Sequence, residues 1–209
     1  MKGPRPESGE ARTQHQVVDP AVSRQKFATE IDEYRAREAE HRGRGWWLLE
    51  AVFPRVLVIF AAAQLRPAPV ICGVDVDFTN YDLEPPSVRL VDPFTRQPYR
   101  MRELPTTLLR RQVIAMPPGF PPGAAQMIGA VPLMQAHVPD DIPFLCVPGV
   151  REYHGHPAHS GDSWLIHRGQ GAGKLYSILH TIYQYGVQPI TGYQIGMQVV
   201  GFQQGEPPQ

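Results

Sequence analysis

Proline and glycine restrict the folds open to this chain more than any other feature. The 209 residues include 23 prolines and 19 glycines, and a proline inside a helix removes a hydrogen bond and kinks or breaks the helix. Hydrophobic residues still make up 42% of the chain, a share typical of globular domains with a buried core. We therefore expect a turn-rich α+β domain rather than a helical bundle.

Charge and cysteine content argue against several function classes. Twenty basic residues balance twenty acidic ones, so no strong field favours nucleic acid or an anionic membrane as partner. Cys72 and Cys146 are the only cysteines, which favours a reducing cytoplasmic location, with a disulfide between them left open. The most apolar stretch, 46–65, is interrupted by Glu50 and Pro54, so it predicts a strand pair or a bent strand rather than a membrane span.

Apolar spacing and turn residues predict one folded unit, 19–203, between disordered tails at 1–18 and 204–209. Asp19 before Pro20 predicts a helix start, and the helix should run to about His41 and stop at Gly43. Apolar spacing predicts a second helix that ends at Gly186. We expect strands in 46–60, 70–78 and 87–91, strand or helix in 107–116, a long loop in 117–143, and a candidate last strand in 189–200.

Residues 144–168 carry the clearest chemical signal. Four of the eight histidines fall there, and the candidate ligands are Cys146, Glu152, His154, His156 and His159. Thiolate, imidazole and carboxylate are the groups that zinc takes, usually four in a tetrahedron. If His154 and His156 lie in an extended strand they face the same side, while Asp162 or Glu152 would orient a histidine from behind. The sequence predicts a zinc site, the alternative being solvated histidines and a buried thiol.

Two other motifs in this region have weaker support. The segment from Gly169 to Lys174 resembles a phosphate loop, but Leu175 replaces the Ser or Thr that holds magnesium, so a flexible entry to the last helix is favoured. His156, Ser160 and Asp162 include the residue types of a hydrolase triad, but Ser160 lacks the Gly-x-Ser-x-Gly context.

The pattern Cys-x-Pro-Gly-x-Arg-Glu-Tyr-His-x-His-Pro-x-His-Ser-Gly-Asp-x-Trp, which starts at Cys146, resembles a bacterial metal-binding family named for its Cys-Glu-His-His (CEHH) residues. The resemblance covers residues 140–168. Members of that family are encoded beside ubiquitin-like proteins and E1-like and E2-like enzymes. The resemblance thus implies a bacterial ubiquitin-like conjugation system with those proteins as partners. Which of His154, His156 and His159 are its two histidines stays open.

A second resemblance covers more of the chain. Residues 78–91, with their Tyr-Asp-Leu-Glu-Pro-Pro turn before a strand, are similar to the third-strand region of ubiquitin-conjugating (E2) enzymes. Cys146 precedes Trp164 and an amphipathic helix, much as the E2 catalytic cysteine does, although the His-Pro-Asn before that cysteine is absent. The resemblance implies an E2-like (UBC/RWD-like) antiparallel sheet with flanking N- and C-terminal helices and a His-rich metal-binding insert.

Three functions follow from these patterns. The leading one is a non-catalytic, zinc-binding E2-like adaptor of ubiquitin-like conjugation, in which a closed zinc site stabilises the loop. The second is an E2-like transferase that carries the ubiquitin-like protein as a thioester on Cys146, a role that competes with metal binding. The third is a zinc-dependent hydrolase with Glu152 as base and an open fourth position for water.

Overall fold

The computed structural model describes residues 16–114, 127–159 and 161–195, with the backbone alone described at 113, 114, 127, 128 and 158. The predicted tail at 204–209 and most of the one at 1–18 lie outside these ranges. Within them, no helix is both long enough and apolar enough to cross a membrane.

The N-terminal part forms two helices instead of the single predicted one. Helix α1 spans Pro20–Arg35, and the Asp19 carboxylate caps it by accepting a hydrogen bond from the Ala21 amide at 2.8 Å, which confirms the predicted start. Helix α2 spans Glu38–Gly43. The prediction of a continuous helix to His41 was wrong, because Arg37 leaves helical geometry (φ −120°, ψ 19°) and the chain turns there. The turn places His41 in the core, where its ring is fully buried.

Four strands follow as an antiparallel meander: β1 Trp46–Val52, β2 Arg55–Ala61, β3 Val70–Asp77 and β4 Ser87–Val91. Their β-branched and aromatic residues favour strand, and the apolar stretch after Trp46 is a strand pair, as its breaks at Glu50 and Pro54 indicate. One pairing row crosses the whole sheet through Trp47, Ile59, Gly73 and Val91. The chain is therefore a mixed α+β protein with a four-stranded antiparallel sheet and flanking helices.

Helix α5, Leu175–Ile182, buries its apolar side with α1 in the main core. The Glu30 carboxylate of α1 accepts a hydrogen bond from the Leu175 amide at 2.8 Å and so fixes the start of α5. The predicted stop at Gly186 was wrong, because a π-helical turn continues over Tyr183–Val187. A side chain at buried Gly186 would lie 3.0 Å from Leu108, so packing rather than helix termination explains this glycine.

Between the sheet and α5 lie short elements. Strand β5, Leu109–Ile114, pairs with β6, Met127–Pro132, and β7, Met134–Gln135, pairs with β8, Phe144–Leu145. Within 107–116, where strand and helix were left open, residues 109–114 form a strand, and the predicted long loop was wrong where β6 and β7 form. Short helices α3, Arg151–His154, and α4, Trp164–His167, follow, with 3₁₀ turns at Met101–Glu103, Pro157–His159 and Arg168–Gln170. The described part of the predicted last strand, 189–195, has no regular structure.

Candidate functional site

Cys146 sits directly after a buried strand end. Leu145 of β8 is fully buried, and the Cys146 amide donates to the Leu133 carbonyl at 2.7 Å. The next residues turn back, with Val150 also fully buried. The Cys146 backbone is therefore fixed by the core, while its side chain is half-buried.

The Cys146 thiol contacts an imidazole. Its Sγ lies 3.3 Å from His159 Nε2, within hydrogen-bonding distance for sulfur. Burial raises the pKa of the Cys146 thiol, and the Arg110 guanidinium offsets part of that rise. A thiol that stays protonated beside an imidazole nitrogen can donate its proton to that nitrogen when His159 carries its own proton on Nδ1. Cys146 and His159, two of the five predicted ligands, are thus joined by a direct thiol–imidazole contact.

Glu152 lies in α3, and its carboxylate faces strand β4. It accepts a hydrogen bond from the Ser87 hydroxyl and another from the Val88 amide at 3.4 Å. The Arg89 guanidinium lies 3.2 Å from the same carboxylate. These contacts give Glu152 a structural role as an anchor between α3 and the sheet.

His154 is engaged through both ring nitrogens. Nδ1 lies 2.8 Å from the Asp162 carbonyl and Nε2 lies 2.7 Å from the Pro148 carbonyl. The residue ends helix α3, so the extended strand that would align His154 with His156 does not form. His154 therefore ties the segment after Cys146 to the loop that contains Asp162.

His156 belongs to an aromatic group at the outer side of the loop. Its ring stacks on that of His137, with centroids 5.4 Å apart, and lies 5.1 Å from the Phe144 ring and 5.8 Å from the His159 ring. His137 is outside the predicted segment 144–168. No spacing rule in the sequence predicts the contact between His137 and His156. It depends on the antiparallel pairing of β7 with β8, which holds the residues just after β7 close to those that follow β8.

The Asp162 carboxylate contacts two side chains of this region. It accepts a hydrogen bond from the Tyr153 hydroxyl and lies 2.5 Å from His167 Nε2. Those two partners lower the pKa of the Asp162 carboxyl, while the bond to Asp162 raises the pKa of Tyr153 to about 12. The Tyr153 ring in turn stacks on the His159 ring, with centroids 3.9 Å apart and planes 22° apart. The Asp162 carboxylate therefore contacts His167, which is not one of the five predicted ligands, and the expected orientation of a metal-ligating histidine by Asp162 stays a prediction.

Close packing explains Gly173 of the phosphate-loop-like segment and Gly149 of the segment after Cys146, whereas a side chain at Gly169 would meet nothing within 4 Å. A side chain at Gly173 would lie 2.7 Å from the Trp164 ring, and one at Gly149 would lie 1.9 Å from the Ala172 carbonyl oxygen. Gly171 adopts φ 77°, which favours glycine. These residues let the segment after Cys146 and the entry to α5 touch through their backbones.

The predicted zinc ligands do not converge as a set. In the ranges 16–114, 127–159 and 161–195, no group of three or more His, Cys, Asp or Glu side chains could hold a metal ion. Cys146 and His159 fit zinc as two of its ligands, because a thiolate and an imidazole at about 2.3 and 2.0–2.1 Å from one ion lie close to each other. The full ligand set, with Glu152, His154 and His156, stays a prediction.

Comparison with known proteins gives one consistent match. A family model described as Y4jH-like matches residues 18–190. The chain is also 47% identical over 193 residues to a protein named "Uncharacterized protein y4jH" from Sinorhizobium fredii (strain NBRC 101917 / NGR234). That alignment covers 88% of this chain and 91% of the relative. Cys146, His159, Tyr153 and Asp162 all lie within the range that the family model matches.

Proposed function

We propose that this chain, which belongs to the Y4jH-like family, is an E2-like protein that carries a ubiquitin-like protein as a thioester on Cys146. One observation carries the proposal: Cys146 Sγ lies 3.3 Å from His159 Nε2. A nucleophile within hydrogen-bonding reach of a base is the arrangement that covalent catalysis uses.

The order of elements supports an E2-like assignment. A capped N-terminal helix precedes a four-stranded antiparallel meander, Cys146 comes later in the chain after the short strands β5–β8, and an amphipathic helix, α5, follows Cys146 after two short helices. This is the order that the resemblance to ubiquitin-conjugating enzymes predicts. Cys146 is half-buried, so part of its side chain is exposed to solvent.

The raised pKa of Cys146 makes a neighbouring base necessary. Burial keeps the thiol protonated, and the thiolate is the nucleophile. In the proposed step, His159 Nε2 takes the Cys146 proton while sulfur attacks the carbonyl carbon of a carrier thioester on an E1-like enzyme. The new S–C bond forms, the old one breaks, and His159 returns the proton to the departing E1 thiolate. The exchange needs no redox partner or metal.

Zinc binding by an adaptor is the second candidate function. It is favoured by the imidazoles near the thiol: the His159 ring nitrogen is in contact with Cys146, and the His156 ring lies 5.8 Å from that of His159. Zinc would be held by Cys146 and His159, with His156 the nearest further imidazole, and would stabilise the loop. The hydrolase alternative needs Glu152 as a base, and the contacts of that carboxylate with β4 do not favour it.

Thioester formation tests the proposal. The chain is mixed with ATP, a bacterial ubiquitin-like protein and its E1-like enzyme, and adducts are resolved on gels without reductant. We expect a one-to-one adduct that thiol removes, that Cys146→Ala abolishes and that Cys146→Ser converts to a thiol-resistant ester. Cys72→Ala is the matched control, since Cys72 is fully buried and burial raises its pKa to about 12. The proposal is contradicted if the adduct persists in Cys146→Ala. It is also contradicted if the wild-type chain forms no adduct although the E1-like enzyme has formed its own thioester with the ubiquitin-like protein.

A further inference from the structure

We infer that Tyr153 and Asp162 are positioning residues that hold the His159 imidazole against the Cys146 thiol. The inference rests on the thiol–imidazole pair of the proposed function. It adds a structural basis for the 3.3 Å contact, because one residue of helix α3 and one of the loop after it support the imidazole that contacts the cysteine.

Tyr153 is held by a firm part of the fold. Its neighbours in α3 tie that short helix to the sheet and to the turn before it: the Arg151 amide donates to the Pro86 carbonyl at 2.9 Å, and Arg151 Nε donates to the Pro85 carbonyl at 3.0 Å. Glu152 is bound by Ser87 and Arg89 of β4. Tyr153 directly follows these two anchored residues in α3, and its hydroxyl is bound by Asp162, so the position of its ring is well defined.

The His159 ring rests on the Tyr153 ring. The two rings are 3.9 Å apart at their centroids with planes only 22° apart, which makes them stacked partners. The His159 ring therefore has the Tyr153 ring on one face and the Cys146 sulfur at Nε2. Because His159 ends a three-residue 3₁₀ turn, Pro157–His159, its backbone alone gives limited control of the imidazole. Removing the Tyr153 ring should leave the imidazole free to rotate away from the thiol.

Asp162 closes the arrangement from the other side of the loop. Its carboxylate accepts a hydrogen bond from the Tyr153 hydroxyl, and its backbone carbonyl lies 2.8 Å from His154 Nδ1. The Asp162 amide donates to the His159 carbonyl at 3.0 Å. One residue thus contacts the backbone of His159 and the hydroxyl of the tyrosine that supports its ring. Asp162 acts on both through geometry and does not need to touch a substrate.

The rate of Cys146 alkylation by iodoacetamide, measured from pH 5 to 10 on the full chain, tests the inference without any carrier protein. Mass spectrometry of peptides separates Cys146 from Cys72. General-base assistance contributes about 10²-fold or more to the rate of enzymatic reactions. Alkylation by iodoacetamide is a less demanding reaction, so we expect His159→Ala to slow it by about tenfold at pH 7. Tyr153→Leu should slow it by a similar factor and shift the pH profile alike, whereas Tyr153→Phe, which keeps the ring, should lose much less. Asp162→Asn should slow alkylation by a factor between those of Tyr153→Phe and Tyr153→Leu.

Non-additivity separates positioning from general damage. In a His159→Ala background, Tyr153→Leu should have no further effect, because coupled residues do not add. Tyr193→Leu, at an exposed tyrosine, is the matched control and should change nothing. The inference would be overturned if Tyr153→Leu slowed Cys146 alkylation equally in the wild-type and His159→Ala backgrounds. It would also be overturned if Tyr153→Leu left the rate and its pH profile unchanged. If Tyr153→Leu does not fold, the Tyr153→Phe and Asp162→Asn pair decides, since wild-type profiles in both contradict it. If Tyr153→Leu and His159→Ala show the expected non-additive effect on Cys146 alkylation but no carrier thioester forms on the wild-type chain, the proposed function is refuted and the inference on Tyr153 and Asp162 stands.

Discussion

Glu152 is bound to Ser87: the hydroxyl that opens strand β4 donates its hydrogen bond to the carboxylate in α3. The Arg89 guanidinium, two residues further along β4, lies 3.2 Å from the same carboxylate. The exposed fraction of the Glu152 side chain is 17%, so water competes little for these contacts. The loop after Cys146 is thereby attached to the sheet at one point.

Glu152→Ala should therefore destabilise the fold. We expect a loss of about 1–3 kcal/mol in the free energy of unfolding, measured by urea denaturation, because Ser87 and Arg89 lose their shared acceptor. Glu84→Ala is the matched control, since Glu84 forms a longer 3.6 Å pair with Arg151 and is 41% exposed, and such pairs contribute at most about 1 kcal/mol. Equal losses in the two variants would show that Glu152 is not an anchor.

Gly149→Ala should be more damaging than its small size suggests. The added methyl group would lie 1.9 Å from the Ala172 carbonyl oxygen, a backbone atom that cannot move alone. Overpacking of this kind costs about 1–3 kcal/mol or more. Gly155→Ala, in the same loop, has no neighbour closer than 3.8 Å and should fold as the wild type does. Thermal unfolding monitored by circular dichroism compares them, and a Gly149→Ala melting temperature equal to that of Gly155→Ala would refute this packing.

His41 should make stability depend on pH. Its buried ring stacks on Trp46 with centroids 4.9 Å apart, and neither ring nitrogen has a hydrogen-bond partner among the residues that the structure describes. Burial lowers the pKa of His41 below its ordinary value of 6.5. As pH falls below 6.5, His41 binds a proton in the unfolded chain but not yet in the folded chain. The free energy of unfolding therefore falls by up to about 1.4 kcal/mol per pH unit.

Urea unfolding between pH 5 and 8 measures that slope. His41→Phe, which keeps an aromatic ring on Trp46, should flatten it, whereas His137→Gln, at an exposed histidine, should leave it unchanged. A slope that survives His41→Phe would assign the pH dependence to another group.

The regular elements were predictable where local chemistry and tertiary packing agree. Asp19 and Pro20 mark the start of α1 in the sequence, and strand β4, Ser87–Val91, is bounded by Pro86 before it and Pro93 after it. The break of the first helix at Arg37 was not predictable, since it accompanies the burial of His41 between the rings of Tyr34 and Trp46, a packing contact that residue type and spacing do not reveal. Gly186 was misread for the same reason, because its packing on Leu108 is not visible in the sequence.

The candidate site shows the same limit. Counting ligand types found Cys146 and His159, but it gave Glu152 and His154 the same weight. Residue type alone does not reveal that the Glu152 carboxylate binds residues of β4, or that the His154 imidazole contacts two backbone carbonyls. Tyr153 stands inside the motif, yet its role depends on stacking geometry. His137 reaches the site only through the β7–β8 pairing.

The state of the Cys146 sulfur is the most direct test of this account. Elemental mass spectrometry of the chain, purified without a histidine tag in zinc-supplemented medium, is combined with titration of free thiol on the native protein. The account predicts far less than one zinc per chain and a Cys146 thiol that reacts while Cys72 does not. About one zinc per chain, lost in both Cys146→Ser and His159→Ala, with Cys146 unreactive until the metal is chelated, would contradict it and make the adaptor the better function.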